Sequence, residues 1–174
     1  MRRLFESAYN IRRNPNSTTD ELREAAEIIN NALNLASDME ALTEDSNIRN
    51  EIIVDRLRCY IERIAIYTRL MKNAYNTPQF DELSQQQEEY YSLYKNIYSH
   101  IEDKKVQESQ RQLTVMAYQS LAASYFRRGG MGKDKMLCWQ AIGYLDKAME
   151  ITKGTPYYEA LEANKQQILQ AMGK

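Results

Sequence analysis

Arg49, Arg56 and Arg63 follow one another at intervals of seven residues. On a helix that spacing lays three guanidinium groups in one slowly drifting row. Planar, permanently charged guanidiniums grip carboxylates and phosphates through paired hydrogen bonds, so the row is a candidate site for an acidic or phosphorylated peptide. Arg127 and Arg128 add a basic pair to the candidate partner-binding residues. The bland reading of the same spacing is that boundary arginines cover core edges with their alkyl stems.

Other chemistry finds little support. His100 is the only histidine, which excludes multi-histidine zinc sites and leaves any serine triad dependent on one residue at a polar helix end. The segment GGMGK, residues 129–133, has the flavour of a phosphate loop. Its leading glycine is misplaced, Asp134 stands where Ser or Thr should bind magnesium, and no strand precedes it, so it reads as a flexible turn between helices. Carboxylates fall beside bases at helical spacing, as Asp55 with Arg58 and Arg58 with Glu62, in the manner of solvated surface pairs. The expectation is a protein with no catalytic residues, no metal and no cofactor.

Charge and composition narrow the class. In 174 residues, 23 Lys+Arg against 24 Asp+Glu leave a formal charge of -1, which speaks against nucleic-acid binding driven by whole-domain charge. Cys59 and Cys138 lack CxxC spacing and read as reduced thiols, which places the protein in the cytoplasm. No apolar run approaches the roughly 18 residues of a membrane span. The start, MRRLFESAYNIRRN, alternates arginines with Leu4, Phe5, Ala8 and Ile11, as the first helix of a bundle or a membrane-surface helix does.

The elements that would position these residues are helices. Ile53, Leu57, Tyr60, Ile64, Tyr67 and Met71 recur every three or four residues, and strand-like alternation is nearly absent. Thr18 with Glu21 has the spacing of a capping box, while Thr77-Pro78 and Thr155-Pro156 each set a cap residue before a proline. Helices are expected near 2–13, 19–41, 46–75, 78–102, 105–128, 134–153 and 156–172, with the fourth and fifth open to being one long helix. The fold class is all-α in a single domain, 1–174. Its stacked antiparallel hairpins would span 2–41, 46–102 and 105–153, and 156–172 would cap them.

Tyr118, Leu121, Ala122 and Tyr125 reproduce the spacing of the first helix of a tetratricopeptide repeat, and Ala141, Leu145 and Ala148 that of its second. This segment resembles a tetratricopeptide hairpin whose interval from Tyr125 to Ala141 is lengthened. Phe5, Tyr9, Ala25, Ile29 and Ala32 stand 116 residues before Leu121, Tyr125, Ala141, Leu145 and Ala148 and share the lengthened interval, with Arg12 matching Arg128. The resemblance implies a right-handed superhelix or bundle and a groove for a peptide or protein, lined by the first helix of each hairpin. A noncatalytic scaffold follows as the expected function: an adaptor, chaperone or regulatory sensor. The competing expectation is a structural subunit of a homo-oligomer or larger complex.

Overall fold

A computed structural model describes residues 1–74, 77–99, 104, 108 and 111–173. Among them the chain forms seven helices and no strand: α1 (Arg2–Arg13), α2 (Thr19–Leu42), α3 (Ser46–Asn73), α4 (Gln79–Ser99), α5 (Arg111–Arg128), α6 (Lys135–Thr152) and α7 (Pro156–Ala171). The expected all-α class holds. The join expected between the fourth and fifth helices, and His100 with it, lies outside the described residues. Contacts divide the chain into two compact units, Met1–Gln110 and Arg111–Lys174.

In the first unit, α1 packs on α2, α2 on α3 and α3 on α4, and α1 also touches α3. The short connections make consecutive helices antiparallel. Helix α3 is the centre of this unit, which explains why more than its expected stripe is buried: Ile52, Ile61, Ile66 and Leu70 join Leu57, Ile64 and Met71 in the interior. Gln87 of α4 is fully buried against it, with Nε2 donating to the Ile64 carbonyl at 2.9 Å and to Thr68 Oγ1 at 2.7 Å.

The second unit is a three-helix stack in which α6 packs on both α5 and α7. Its core joins Cys138, Ala141, Ile142, Leu145, Ala148 and Met149 of α6 to Ala122 of α5 and to Leu161 and Ile168 of α7. The small residues marked in the sequence sit where helices approach closely: Ala25, Ala32, Ala141 and Ala148 have no exposed surface. A side chain without bulk lets the neighbouring backbone come near, while Ile29 and Leu145 fill the space between.

Helix ends follow the local signals in part. Thr18 and Glu21 form the expected capping box, each bonding the other's backbone N–H. Asp134 caps α6 by accepting from Met136 and Leu137 N–H. The two Thr-Pro sequences follow expectation in part: Thr155 is the N-cap of α7 with Pro156 at its first position, whereas α4 begins one residue after Pro78. Neither threonine hydroxyl bonds the N–H groups of the following helix; each donates backward, to the Ala74 carbonyl at 2.7 Å and the Thr152 carbonyl at 2.8 Å. The backbone N–H of each donates to that same carbonyl, and the N–H of Phe80 or Tyr158 donates to the threonine carbonyl. The echo TPQF and TPYY is thus one turn used twice, closing one helix before proline starts the next.

The glycine-rich turn is also not slack. Met131 N–H donates to the Phe126 carbonyl at 3.1 Å and Asp134 N–H to the Gly129 carbonyl at 2.9 Å, while Gly129 itself is buried. Gly132 lies against the Ala171 backbone so closely that an added Cβ would stand 2.3 Å from its carbonyl oxygen. The expectation of a loose connection fails because glycines permit close approach as readily as they permit freedom.

Candidate interaction surfaces

The arginine row on α3 is consumed by the fold to a degree that grows along it. Arg49 is exposed and donates to the Thr43 carbonyl at 2.9 Å. Arg56 is ion-paired with Glu40 of α2, its side chain 20% exposed. Arg63 is buried: it donates to the Ala26 carbonyl and to Tyr67 Oη at 3.1 Å, and lies over the rings of Tyr67 and Tyr90 at 5.3 and 4.5 Å. A drift of about 20° per heptad carries the row from the flank of α3 into the seam with α2 and α4. The three guanidiniums therefore do not form one open basic face.

Several other charges of the first unit are similarly occupied. Arg2 reaches Glu51 and Asp55 at 3.4 and 3.3 Å, and Arg12 forms a two-pronged pair with the buried Glu62. Arg69 donates to the carbonyls of Arg12, Asn14 and Pro15, pinning the turn between α1 and α2. The arginines of the amphipathic start are thus partly spent on α3. Burial raises the Glu62 carboxyl above its ordinary range, with the Arg12 hydrogen bond and charge opposing. Burial likewise pushes the Cys59 thiol up to about 12, with the Asp55 charge adding to it, so this cysteine behaves as a packed, protonated side chain. Among the described residues no three His, Cys, Asp or Glu side chains gather as a metal site, and no helix is long and apolar enough to cross a membrane.

Arg127 and Arg128 are half-buried in the second unit, where Arg128 lies over the Tyr125 ring at 4.9 Å. They adjoin a file of tyrosines along the seam of α5 and α6: Tyr144 stands 6.1 Å from Tyr118 and 5.4 Å from Tyr125. Lys147 covers its other end, with Nζ 5.9 and 5.2 Å from the Tyr118 and Tyr144 ring centres.

The feature that the sequence reading missed lies on the outward side of α6. Met136 is 69% exposed and Trp139, the single tryptophan, 46%. One turn further, Gly143 has nothing within 4 Å of the place a Cβ would occupy. Met131, in the preceding turn, is half exposed and holds a left-handed φ of 54°, an unfavourable conformation for a residue with a side chain. Positions 136, 139 and 143 lie opposite the buried face at helical spacing. At the matching places on α2, 116 residues earlier, stand Asp20, Arg23 and Glu27, all exposed, with Arg23 paired to Asp20 at 3.4 Å. The hairpin architecture does not need an apolar outward face, since its twin has a charged one. Aligning those two outward faces is the sequence signal that would have found it.

A second apolar area lies on the first unit. Helix α1 has 12 residues and α2 has 24, so the far end of α2 extends beyond cover from α1. Leu35, Met39 and Leu42 are exposed there on one side, with Ile48 at the start of α3. Met39 and Ile48 line an open cleft of about 470 Å³ that also involves Met1, Arg2, Arg3 and Glu51. Charge separates the units as well: residues 1–110 carry 14 Lys+Arg against 19 Asp+Glu, a balance of -5, and residues 111–174 carry nine against five, +4.

No family model, curated protein or solved structure matches this chain.

Proposed function

We propose that the chain is a noncatalytic protein-binding scaffold whose contact face is the outward side of α6, with the turn before it. The observation that carries this reading is the exposed pair Met136 and Trp139 where the equivalent helix has Asp20 and Arg23, with exposed Met131 in the turn before them. Exposed aromatic and methionine side chains supply contact area with little polar desolvation cost, and such residues are enriched at the centre of protein interfaces. Lys133 and Lys135 are exposed near the start of the helix, with Asp134 exposed between them, and Lys147 is exposed in its second half, so that lysines outnumber the acid there and favour an acidic protein surface. The α5–α6 hairpin serves as a rigid mount, since its core alanines hold the helices close. The half-buried Arg127 and Arg128 border the same hairpin; of the α3 row, exposed Arg49 is the member available to a partner. Ionisable groups with raised protonation, such as Glu62 and Cys59, owe it first to burial, which suits structural work better than catalysis. Buried free thiols at Cys59 and Cys138 fit a reducing compartment such as the cytoplasm.

The test is affinity capture from the native cell with wild-type and Trp139→Ser bait. The substitution should remove the captured protein by tenfold or more while the melting temperature moves by only a few degrees. Undiminished capture by Trp139→Ser, and by Met136→Ser as a second probe, would remove α6 as the contact face.

A further inference from the structure

The eight methionines differ widely in their access to solvent. Met71, Met149 and Met172 are buried, at 0, 6 and 4% exposure, and Met1 is half-buried. Met136 is 69% and Met131 51% exposed, ahead of Met39 at 40% and Met116 at 37%. The two most exposed thioethers thus lie five residues apart, in the glycine-rich turn and the first turn of α6, and the backbone of each is anchored. Met131 N–H donates to the Phe126 carbonyl at 3.1 Å, and Met136 N–H donates to Asp134 Oδ1 at 2.9 Å. Lys133 and Lys135 are exposed beside them; Asp134, exposed between the lysines, is occupied in capping the helix.

We infer that Met131 and Met136 form a reversible oxidation site, through which peroxides turn the apolar start of α6 polar while the fold stands. Its regulatory meaning rests on the reading of that face as a contact surface. A sulfur lone pair attacks one oxygen of hydrogen peroxide; the S–O bond forms as the O–O bond breaks, and the departing hydroxide takes the proton from the transferred oxygen and leaves as water. Sulfur gives up two electrons and the peroxide is reduced. The product sulfoxide is polar and a strong hydrogen-bond acceptor. At Met136 it forms where the positive end of the helix dipole and the ammonium groups of Lys133 and Lys135 favour its partly negative oxygen. At Met149 the same oxygen would be enclosed in the apolar cluster of Leu145 and Ala148, at the cost of a buried polar group. Exposure therefore decides both which sulfurs react and which can be oxidised without loss of the fold. Methionine sulfoxide reductases return the thioether, which makes the change reversible.

Graded hydrogen peroxide on the purified chain, followed by trypsin and mass spectrometry, tests this, since Lys133 and Lys135 place the two methionines on separate peptides. Met131 and Met136 should be oxidised roughly tenfold or more faster than Met71, Met149 and Met172, with Met39 and Met116 between. With the pair oxidised, the melting temperature should move by only a few degrees, and retention on a phenyl hydrophobic-interaction column should fall. Methionine sulfoxide reductases A and B with dithiothreitol should restore the retention. Dithiothreitol alone should not, which separates the thioethers from the thiols of Cys59 and Cys138. The double substitution Met131→Leu and Met136→Leu keeps the apolar bulk without the sulfur, so peroxide should leave its retention unchanged. Faster oxidation of a buried methionine, unfolding once the pair is oxidised, or a retention that peroxide does not change in wild type would overturn the inference. If Met136→Ser and Trp139→Ser capture protein as wild type does, the contact reading falls, while oxidation order and retention still decide the oxidation site.

Discussion

The hairpins α1–α2 and α5–α6 place like residues at positions 116 apart and then close their turns by different means. Leu22 and Cys138, Ala25 and Ala141, Ile29 and Leu145, and Ala32 and Ala148 are buried pairwise, and Thr18 and Asp134 cap the second helices at the matching position. Arg12 and Arg128 each lie over the tyrosine three residues before, Tyr9 at 5.3 Å and Tyr125 at 4.9 Å. The first turn is closed by polar side chains: Ser17 Oγ donates to the Ile11 carbonyl at 2.6 Å, the Asn14 side chain accepts from Asn16 N–H, and Arg69 binds the carbonyls from outside. The second is closed by glycine, whose small size lets Gly132 rest on the Ala171 backbone. The lengthened interval is therefore a shared architectural feature, while the contacts that hold it depend on which neighbour is present: the long α3 in one case, the end of α7 in the other.

The largest expected effect separates those two closures. Gly132 has φ +117° and no room for a Cβ, so Gly132→Ala should destabilise by about 3 kcal/mol or more, joining backbone strain to overpacking. Asn16, at the matching position, is exposed, and Asn16→Ala should stay within about 0.5 kcal/mol. Equal denaturation midpoints for the two variants would break the distinction.

Core equivalence should appear as a matched pair. Ala32→Leu and Ala148→Leu each insert bulk where no surface is exposed, and each should cost about 1–3 kcal/mol. An effect at one position with none at the other would show that the hairpins share spacing without sharing packing.

The outward faces should respond in the opposite sense. Gly143→Ala adds a methyl into open space within a helix and should stabilise the isolated chain by roughly 0.5–1 kcal/mol. Glu27→Ala, its counterpart, should change stability by less than about 0.5 kcal/mol. A destabilising Gly143→Ala, read by thermal unfolding, would mean that the face is already covered.

The smallest effect concerns the ion pair that ties the first hairpin to α3. The Glu62 carboxyl is raised from its ordinary 4.5 by burial, against the pull of Arg12. A carboxyl raised in the folded state holds its proton more readily there than in the unfolded chain. Its contribution to stability is thus lost as pH climbs from 4.5 through the folded value. Glu62→Gln should flatten that decline in pH-resolved denaturation while lowering stability overall, since Arg12 loses its ionic partner. An unchanged slope would show that Arg12 holds the carboxylate ionised throughout.

What the sequence by itself determined was local or periodic. The helical spacing, the capping box of Thr18 and Glu21, and the close-packing alanines all depend on residues within a turn or two of one another, or on one face of one helix. The Thr-Pro echo was legible as a repeated device, but its hydrogen bonds run backward, because the direction depends on the carbonyl the preceding helix leaves free. The arginine row shows the limit most plainly. Spacing fixes the angle of a side chain around its own axis, and it placed Arg49, Arg56 and Arg63 along one line. It does not say which neighbours stand at that angle, and α2 and α4 stand against α3 so that Arg63 is enclosed between Ala26, Tyr67 and Tyr90. The same gap hid the face of Met136 and Trp139. Methionine and tryptophan look like core residues in a sequence, and only the packing of α6 on α5 and α7 decided that these two point the other way, because the buried side of α6 was already filled by Cys138, Ala141 and Leu145.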